Sequence, residues 1–364
     1  MRRSDRAAAP AGHDADLWWV ARFWAVVLLF LALTLARSMQ VEVPLRDPYG
    51  IVWRSRLTTS LTLFPVLVLL DATGRAWTVD RRARAVLAVL RRRWTTRRVL
   101  LALNGLFAYH VAYLCYRNLK SWDVFNEPRD RLLLASDRWL FLGHAPADVL
   151  HGLLGTHVAA HVLVAVYQSF SSLVILAVVA SVVFPERMRD GYVFLASLTW
   201  VWMLGVASYY LVPSLGPFHA APAHFTDLPA TAIQHNQAGL ITSRARLLAD
   251  RGAGGAFASV SAFASLHVAV SATLLLMARY FGLRRTAWAL VAFLGGTLLA
   301  TVYWGWHFVL DDVAGLAIAP VAVLLGGLMI YPRRRAGARG PGPGQLVTSL
   351  PANRAQAANQ NTSA

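Results

Sequence analysis

Residues Phe308–Ile330 read FVLDDVAGLAIAPVAVLLGGLMI, an apolar run headed by two adjacent carboxylates, Asp311 and Asp312. A bilayer core needs about 20 apolar helical residues to cross it. Acidic side chains at the head of such a helix are costly unless they face water or carry a function. Seven further apolar runs precede this one: Leu17–Ala36, Leu57–Leu70, Val99–Tyr116, Val158–Phe184, Tyr192–Val212, Phe263–Met277 and Ala287–Tyr303. Leu57–Leu70 is the shortest and contains Pro65, which a membrane helix tolerates when its neighbours satisfy the freed carbonyl.

The composition agrees. Of 364 residues, 57% are hydrophobic and only 15% charged, too little charge to cover a water-soluble surface. The expected fold is all-α, a polytopic membrane helix bundle of about eight spans. The net charge of +17 does not indicate nucleic acid, because the arginines fall in clumps between the apolar runs. The single Cys115 excludes an intramolecular disulfide. The first run is followed by charged residues and not by a small-residue cleavage site, so no cleavable signal is expected.

Arginine placement sets the expected topology. Arg75, Arg81, Arg82, Arg84, Arg91, Arg92, Arg93, Arg97 and Arg98 follow the second run, Arg187 and Arg189 the fourth, and Arg279, Arg284 and Arg285 the sixth. Arg333, Arg334 and Arg335 follow the eighth, and Arg2, Arg3 and Arg6 begin the chain. Eight alternating crossings put all five groups on one side, expected to be the cytoplasm, with both termini inside. The segments Arg37–Arg56, Arg117–His157, Pro213–Ala262 and the tight connection Trp304–Trp306 then face outward. Three parts are expected: residues 1–98 with the first two spans, a membrane domain with the other six over 99–331, and a disordered tail over 332–364. The arginine bias and abundant alanine suggest a GC-rich bacterial genome, which makes the plasma membrane the expected location.

Two of the eleven histidines stand where an outward segment enters a helix: His267 in Ser265-Leu266-His267, and His307. Asp311 follows His307 by four residues, so both share a helix face and the carboxylate can reach the ring. A carboxylate partner fixes the imidazole tautomer and sharpens the other nitrogen as nucleophile or base. Alone, the pair also fits an interhelical hydrogen bond, or a metal site completed from His144, His151, His157, His219, His224 and His235. Adding His267 favours phosphorus chemistry: two imidazoles across one cleft can attack phosphorus and protonate the leaving oxygen. Among the 35 basic residues there is one lysine, Lys120, three residues after Arg117 on the outer side. His110 is expected to bond a neighbouring helix, and Tyr209, Tyr210 and the tryptophans to anchor at the interface.

The order S-L-H, a hairpin, then H-x-x-x-D resembles the membrane-bound type 2 phosphatidic acid phosphatase (PAP2) superfamily, over about Val99–Tyr331. The usual form is K-x6-R-P, P-S-G-H, then S-R-x5-H-x3-D. Here Thr301 stands six residues before His307 in place of Arg, Ala264-Ser265-Leu266-His267 replaces P-S-G-H, and Tyr209–Pro217 replaces the first segment. These departures are similar to the inositol phosphorylceramide synthase branch. The resemblance implies His307 as nucleophile, Asp311 as its partner and His267 as acid and base, with no metal and no organic cofactor. The missing arginines leave the phosphate to other ligands; the candidates are Arg117, Lys120, Arg244, Arg246 and Ser265.

The expected function is therefore transfer of a phospho-headgroup from a lipid phosphate donor to an alcohol or lipid acceptor, through a phosphohistidine. A lipid phosphate phosphatase using water, and a non-catalytic transporter or assembly protein, are the competing readings. The expected partners are membrane lipids and these substrates, and no nucleic acid. The expected active site lies on the extracytoplasmic side.

Overall fold

The computed structural model describes residues 17–77, 83–253, 255 and 257–332. The expectations for Arg2, Arg3, Arg6, Arg81, Arg82, Arg333, Arg334 and Arg335, and for the tail beyond Pro332, lie outside these residues. The described chain is all-helical: α1 (Trp18–Val41), α2 (Thr58–Trp77), α3 (Ala83–Arg93), α4 (Thr96–Trp122), α5 (Asp130–Leu140), α6 (Pro146–Leu154), α7 (Val158–Val183), α8 (Met188–Leu211), α9 (Pro217–Ala220), α10 (Ala232–Ala249), α11 (Leu266–Tyr280), α12 (Arg284–Tyr303) and α13 (Val309–Ile330). Seven helical stretches among the described residues are long and apolar enough to cross a membrane, so the protein is a multi-pass membrane helix bundle.

The second and sixth spans depart from their expected bounds in opposite ways. The second begins earlier, since helical turns from Pro48 join α2 into a 30-residue stretch ending at Trp77. The Asp47 carboxylate starts it by accepting the Val52 and Trp53 N–H groups; Arg54 and Arg56 hide this segment from an apolar-run reading. The sixth, α11, is only 15 residues and falls short of a full crossing. At 1.5 Å per residue it rises about 22 Å. Its expected first residues, Phe263 to Ser265, belong instead to the non-helical segment leading into it.

The core packs α8 against α4, α11 and α13, with α7 and α12 alongside and α1 leaning on α4, α8 and α13. One end gathers the basic connections. Arg93 pairs with Asp71 at 2.9 Å and with Glu186 at 2.6 Å, and Arg189 donates to the Ile330 carbonyl. Tyr280 and Tyr331 both donate to Asp190, tying the ends of α11 and α13 to the start of α8. The opposite end carries both conspicuous histidines, roofed by α5, α6, α9 and α10 from the two long connections.

Candidate active site

His307 sits in the turn between α12 and α13. Trp306 N–H and His307 N–H both donate to the Thr301 carbonyl, at 2.9 and 3.2 Å. Gly305, at φ +67°, makes the turn possible, and its carbonyl accepts the Phe218 N–H at 2.9 Å. Asp311, fully buried one turn into α13, then meets the ring: its Oδ2 lies 3.3 Å from His307 Nδ1 and accepts the Phe308 N–H at 2.9 Å. Nδ1 therefore carries the proton, and Nε2 keeps its lone pair for chemistry. Burial, reinforced by the Lys120 charge, pulls the His307 imidazole down to about 3, so it stands neutral.

His267, in the first turn of α11, faces His307 with ring centroids 6.0 Å apart. Its own ring lies between Tyr167 and Phe170 of α7, each at 4.5 Å. Trp306 also stacks on Tyr167, 5.5 Å away and within 1° of parallel. The start of α11 is held against α13 by Ser265 N–H, which donates to the Asp311 carbonyl at 2.9 Å. A Cβ on Gly315 would come within 2.4 Å of the Ser265 carbonyl oxygen, so this close approach of the two helices needs glycine. Asp311 thus aims His307 with its side chain and anchors the helix of His267 with its backbone.

The candidate cations separate. Lys120 projects from the end of α4 over the Tyr209 ring, 5.3 Å from its centroid, and its charge acts on both imidazoles. Arg117, one turn earlier, turns instead over Phe257 at 5.1 Å and lines a groove with Arg246. Arg244 shares the inner face of α10 with Ile233, Gln237 and Leu247; Gln237 donates to the Trp304 carbonyl at 2.8 Å. The Arg244 Nε is buried without a hydrogen-bond partner. Ser265 is fully buried at the head of α11.

Thr301, standing where the family pattern has arginine, donates to Asp312 Oδ2 at 2.8 Å and supplies no cation. His110 bonds the Leu106 carbonyl of its own helix at 2.7 Å and Ser60 of α2 at 3.4 Å. The loop histidines go elsewhere: His151 donates to the Tyr303 carbonyl, and His224 faces Asp148 at 2.8 Å. Among the described residues, no three His, Cys, Asp or Glu side chains gather in a cluster suited to a metal ion.

Two carboxylates escaped the sequence reading. Asp130 of α5 accepts the Leu215 and Gly216 N–H groups, both at 2.9 Å, and so shapes the Pro213–Pro217 turn. Asp137, two turns on, accepts the Val309 N–H at 3.1 Å and holds the first residue of α13. Their seven-residue spacing, with apolar Leu133 between, is the signal that placed both on one face of a short helix. The aromatic wall of Tyr167 and Phe170 was likewise hidden inside an apolar run.

The PAP2 superfamily profile matches residues 131–325, more than half of the chain, and spans His267, His307 and Asp311. The chain belongs to the PAP2 superfamily. Membership points to lipid phosphatase or phosphotransferase activity. The match begins later than Val99, so Arg117 and Lys120 lie outside it. No curated protein and no solved structure matches the chain.

Proposed function

We propose that this PAP2 protein is a phosphotransferase that moves a phospho-headgroup from a lipid donor to a hydroxyl acceptor through a phosphohistidine on His307. The observation that carries the reading is the pair of facing imidazoles, 6.0 Å between centroids, with Asp311 on Nδ1 of one of them. His307 Nε2 attacks phosphorus, and the bond to the lipid oxygen breaks as His267 protonates that oxygen. The acceptor hydroxyl then attacks the same phosphorus, returning its proton to His267 while the N–P bond breaks. Lys120 offsets the phosphate charge, with Arg244 and Ser265 as further ligands; an anion in a low-dielectric cleft needs such compensation. The Ser265-Leu266-His267 and Ala300-Thr301 features support likeness to the inositol phosphorylceramide synthase branch.

We place the site on the extracytoplasmic face of the plasma membrane, with both termini inside. The clustering of Arg75, Arg93, Arg98 and Arg189 at the end opposite the histidines supports that orientation. Cysteine labelling within 213–262 from either side of sealed vesicles tests it. The reaction is tested by incubating purified protein with phosphatidic acid, phosphatidylglycerol or phosphatidylinositol, with and without an alcohol. Product carrying the headgroup on the alcohol is expected. Free phosphate as the sole product means that water is the acceptor. Variants H267A and H307A that keep the cellular function remove catalysis altogether.

A further inference from the structure

The groove beside Arg117 takes no part in the chemistry above. Its volume is about 380 Å³, and Tyr49, Arg117, Ser243, Arg246, Asp250 and Phe257 line it. Two guanidiniums face one carboxylate, and that carboxylate already accepts the Gly252 N–H at 2.7 Å. Among the described residues, neither Arg117 nor Arg246 has an acidic partner at ion-pair distance. The groove is therefore electropositive, with hydroxyls and an aromatic face beside the charge.

It also lies next to the reacting imidazoles. Arg117 and Lys120 are neighbours across one turn of α4, and the Lys120 charge acts on both rings. A second link runs through the segment ahead of α11. Ser259 lines the groove, and the Ala262 backbone lies against the His307 ring. Three residues of chain span at most about 11 Å. This segment is fixed to the end of α4, with Ala258 N–H donating to Ser121 Oγ at 2.9 Å and Ser261 Oγ to Asp123 at 2.8 Å.

We propose that this groove is the acceptor subsite, and that the acceptor is a hydroxyl compound bearing its own phosphate: a small polyol or sugar phosphate, or the headgroup of a phosphodiester lipid. The inference rests on the transferase reading and adds a substrate class to it. Arg117 and Arg246 clamp the acceptor's phosphate, while Ser243, Tyr49 and Asp250 offer partners to its hydroxyls. One hydroxyl then reaches the phosphorus on His307. The O–P bond forms as the N–P bond breaks, and the hydroxyl proton passes to His267, which gave its own to the donor's oxygen.

The test is binding in phosphatidylcholine nanodiscs, followed by calorimetry with glycerol 3-phosphate and with glycerol. Glycerol 3-phosphate is expected to bind about tenfold tighter or more, and R117Q and R246Q each to raise its Kd about tenfold. S243W, which fills the groove and leaves its charges in place, is expected to weaken binding by a similar factor. Adding phosphatidylglycerol to the nanodisc identifies the source: competition assigns the groove to a lipid headgroup, and its absence to the soluble phosphate. A Kd that none of the three substitutions changes, or equal affinity for glycerol, overturns the proposal. The transferase reading fails separately, when [32P]phosphatidic acid releases only phosphate in the presence of both acceptors.

Discussion

The Oδ2 of Asp311 stands 3.3 Å from His307 Nδ1 while accepting the Phe308 N–H at 2.9 Å, so one oxygen orients the ring and closes the turn that carries it. D311N separates these duties. An amide oxygen still accepts the Phe308 N–H, but the negative charge that would stabilise the proposed phosphohistidine is gone. We expect kcat to fall about 10⁴-fold, with Tm little changed. Rapid-quench mass spectrometry should show less phosphohistidine on His307 in D311N. Full activity in this variant contradicts the assigned role.

Lys120 gives a pH signature. Burial and the Lys120 charge together pull His307 down to about 3. A nearby positive charge disfavours the imidazolium, so removing it lets the value rise toward the ordinary 6.5. In K120M, the acid limb of the kcat/KM profile should therefore move to higher pH, and kcat/KM at neutral pH should drop about 100-fold. K120R keeps the charge and should hold the limb near its wild-type position. A limb that does not move in K120M shows that Lys120 lies too far from the ring to matter.

The membrane spans and the histidine pair were legible because each announces itself locally. Apolar runs do not depend on neighbours, and Asp311 follows His307 by four residues, near enough to meet its ring although His307 lies in the turn ahead of α13 and not on a shared helix face. The division of the cations was not legible. Arg117 and Lys120 differ by about 60° around α4, and only packing against Tyr209 and Phe257 decides which faces the imidazoles. Helices α5 and α6 are hard to see in the sequence because short amphipathic segments lack a long apolar run, and α10 because its residues are largely polar; Asp130 and Asp137 stay hidden with α5. The shortness of α11 was hidden by Phe263 and Ala264, apolar residues that extend the run without joining the helix.

Asp137 couples stability to pH. It is buried, and burial pushes its carboxyl up to about 6, opposed by the Val309 N–H and aided by the Asp311 charge. A carboxyl raised above its ordinary 3.8 holds a proton in the folded state that the unfolded chain has released. Its contribution is complete below about pH 4 and is lost as the pH rises through about 6. D137N keeps an acceptor for Val309 and cannot ionise, so its Tm at neutral pH should equal or exceed that of wild type. D137A leaves the Val309 N–H unpaired and should lose about 1–3 kcal/mol. Thermal melts across this pH range distinguish the three proteins, and identical pH dependence in wild type and D137N removes Asp137 as the cause.

Gly315 sets the distance between α13, which carries Asp311, and the head of α11, which carries His267. A Cβ there meets the Ser265 carbonyl oxygen at 2.4 Å, and backbone cannot swing aside as a flexible side chain can. In G315A, either α13 retreats, carrying Asp311 and His307 with it, or the head of α11 shifts with His267. Both routes strain the Ser265 N–H bond to the Asp311 carbonyl, now 2.9 Å. Overpacking of this kind typically costs about 1–3 kcal/mol. The loss of activity should exceed what that destabilisation explains, because catalytic geometry is sensitive to displacements of about 1 Å. G327A supplies the comparison, since its Cβ would meet nothing within 4 Å on the same helix. Equal activity in G315A and G327A, measured well below their Tm, would show that the spacing between residues 267 and 307 does not set the rate.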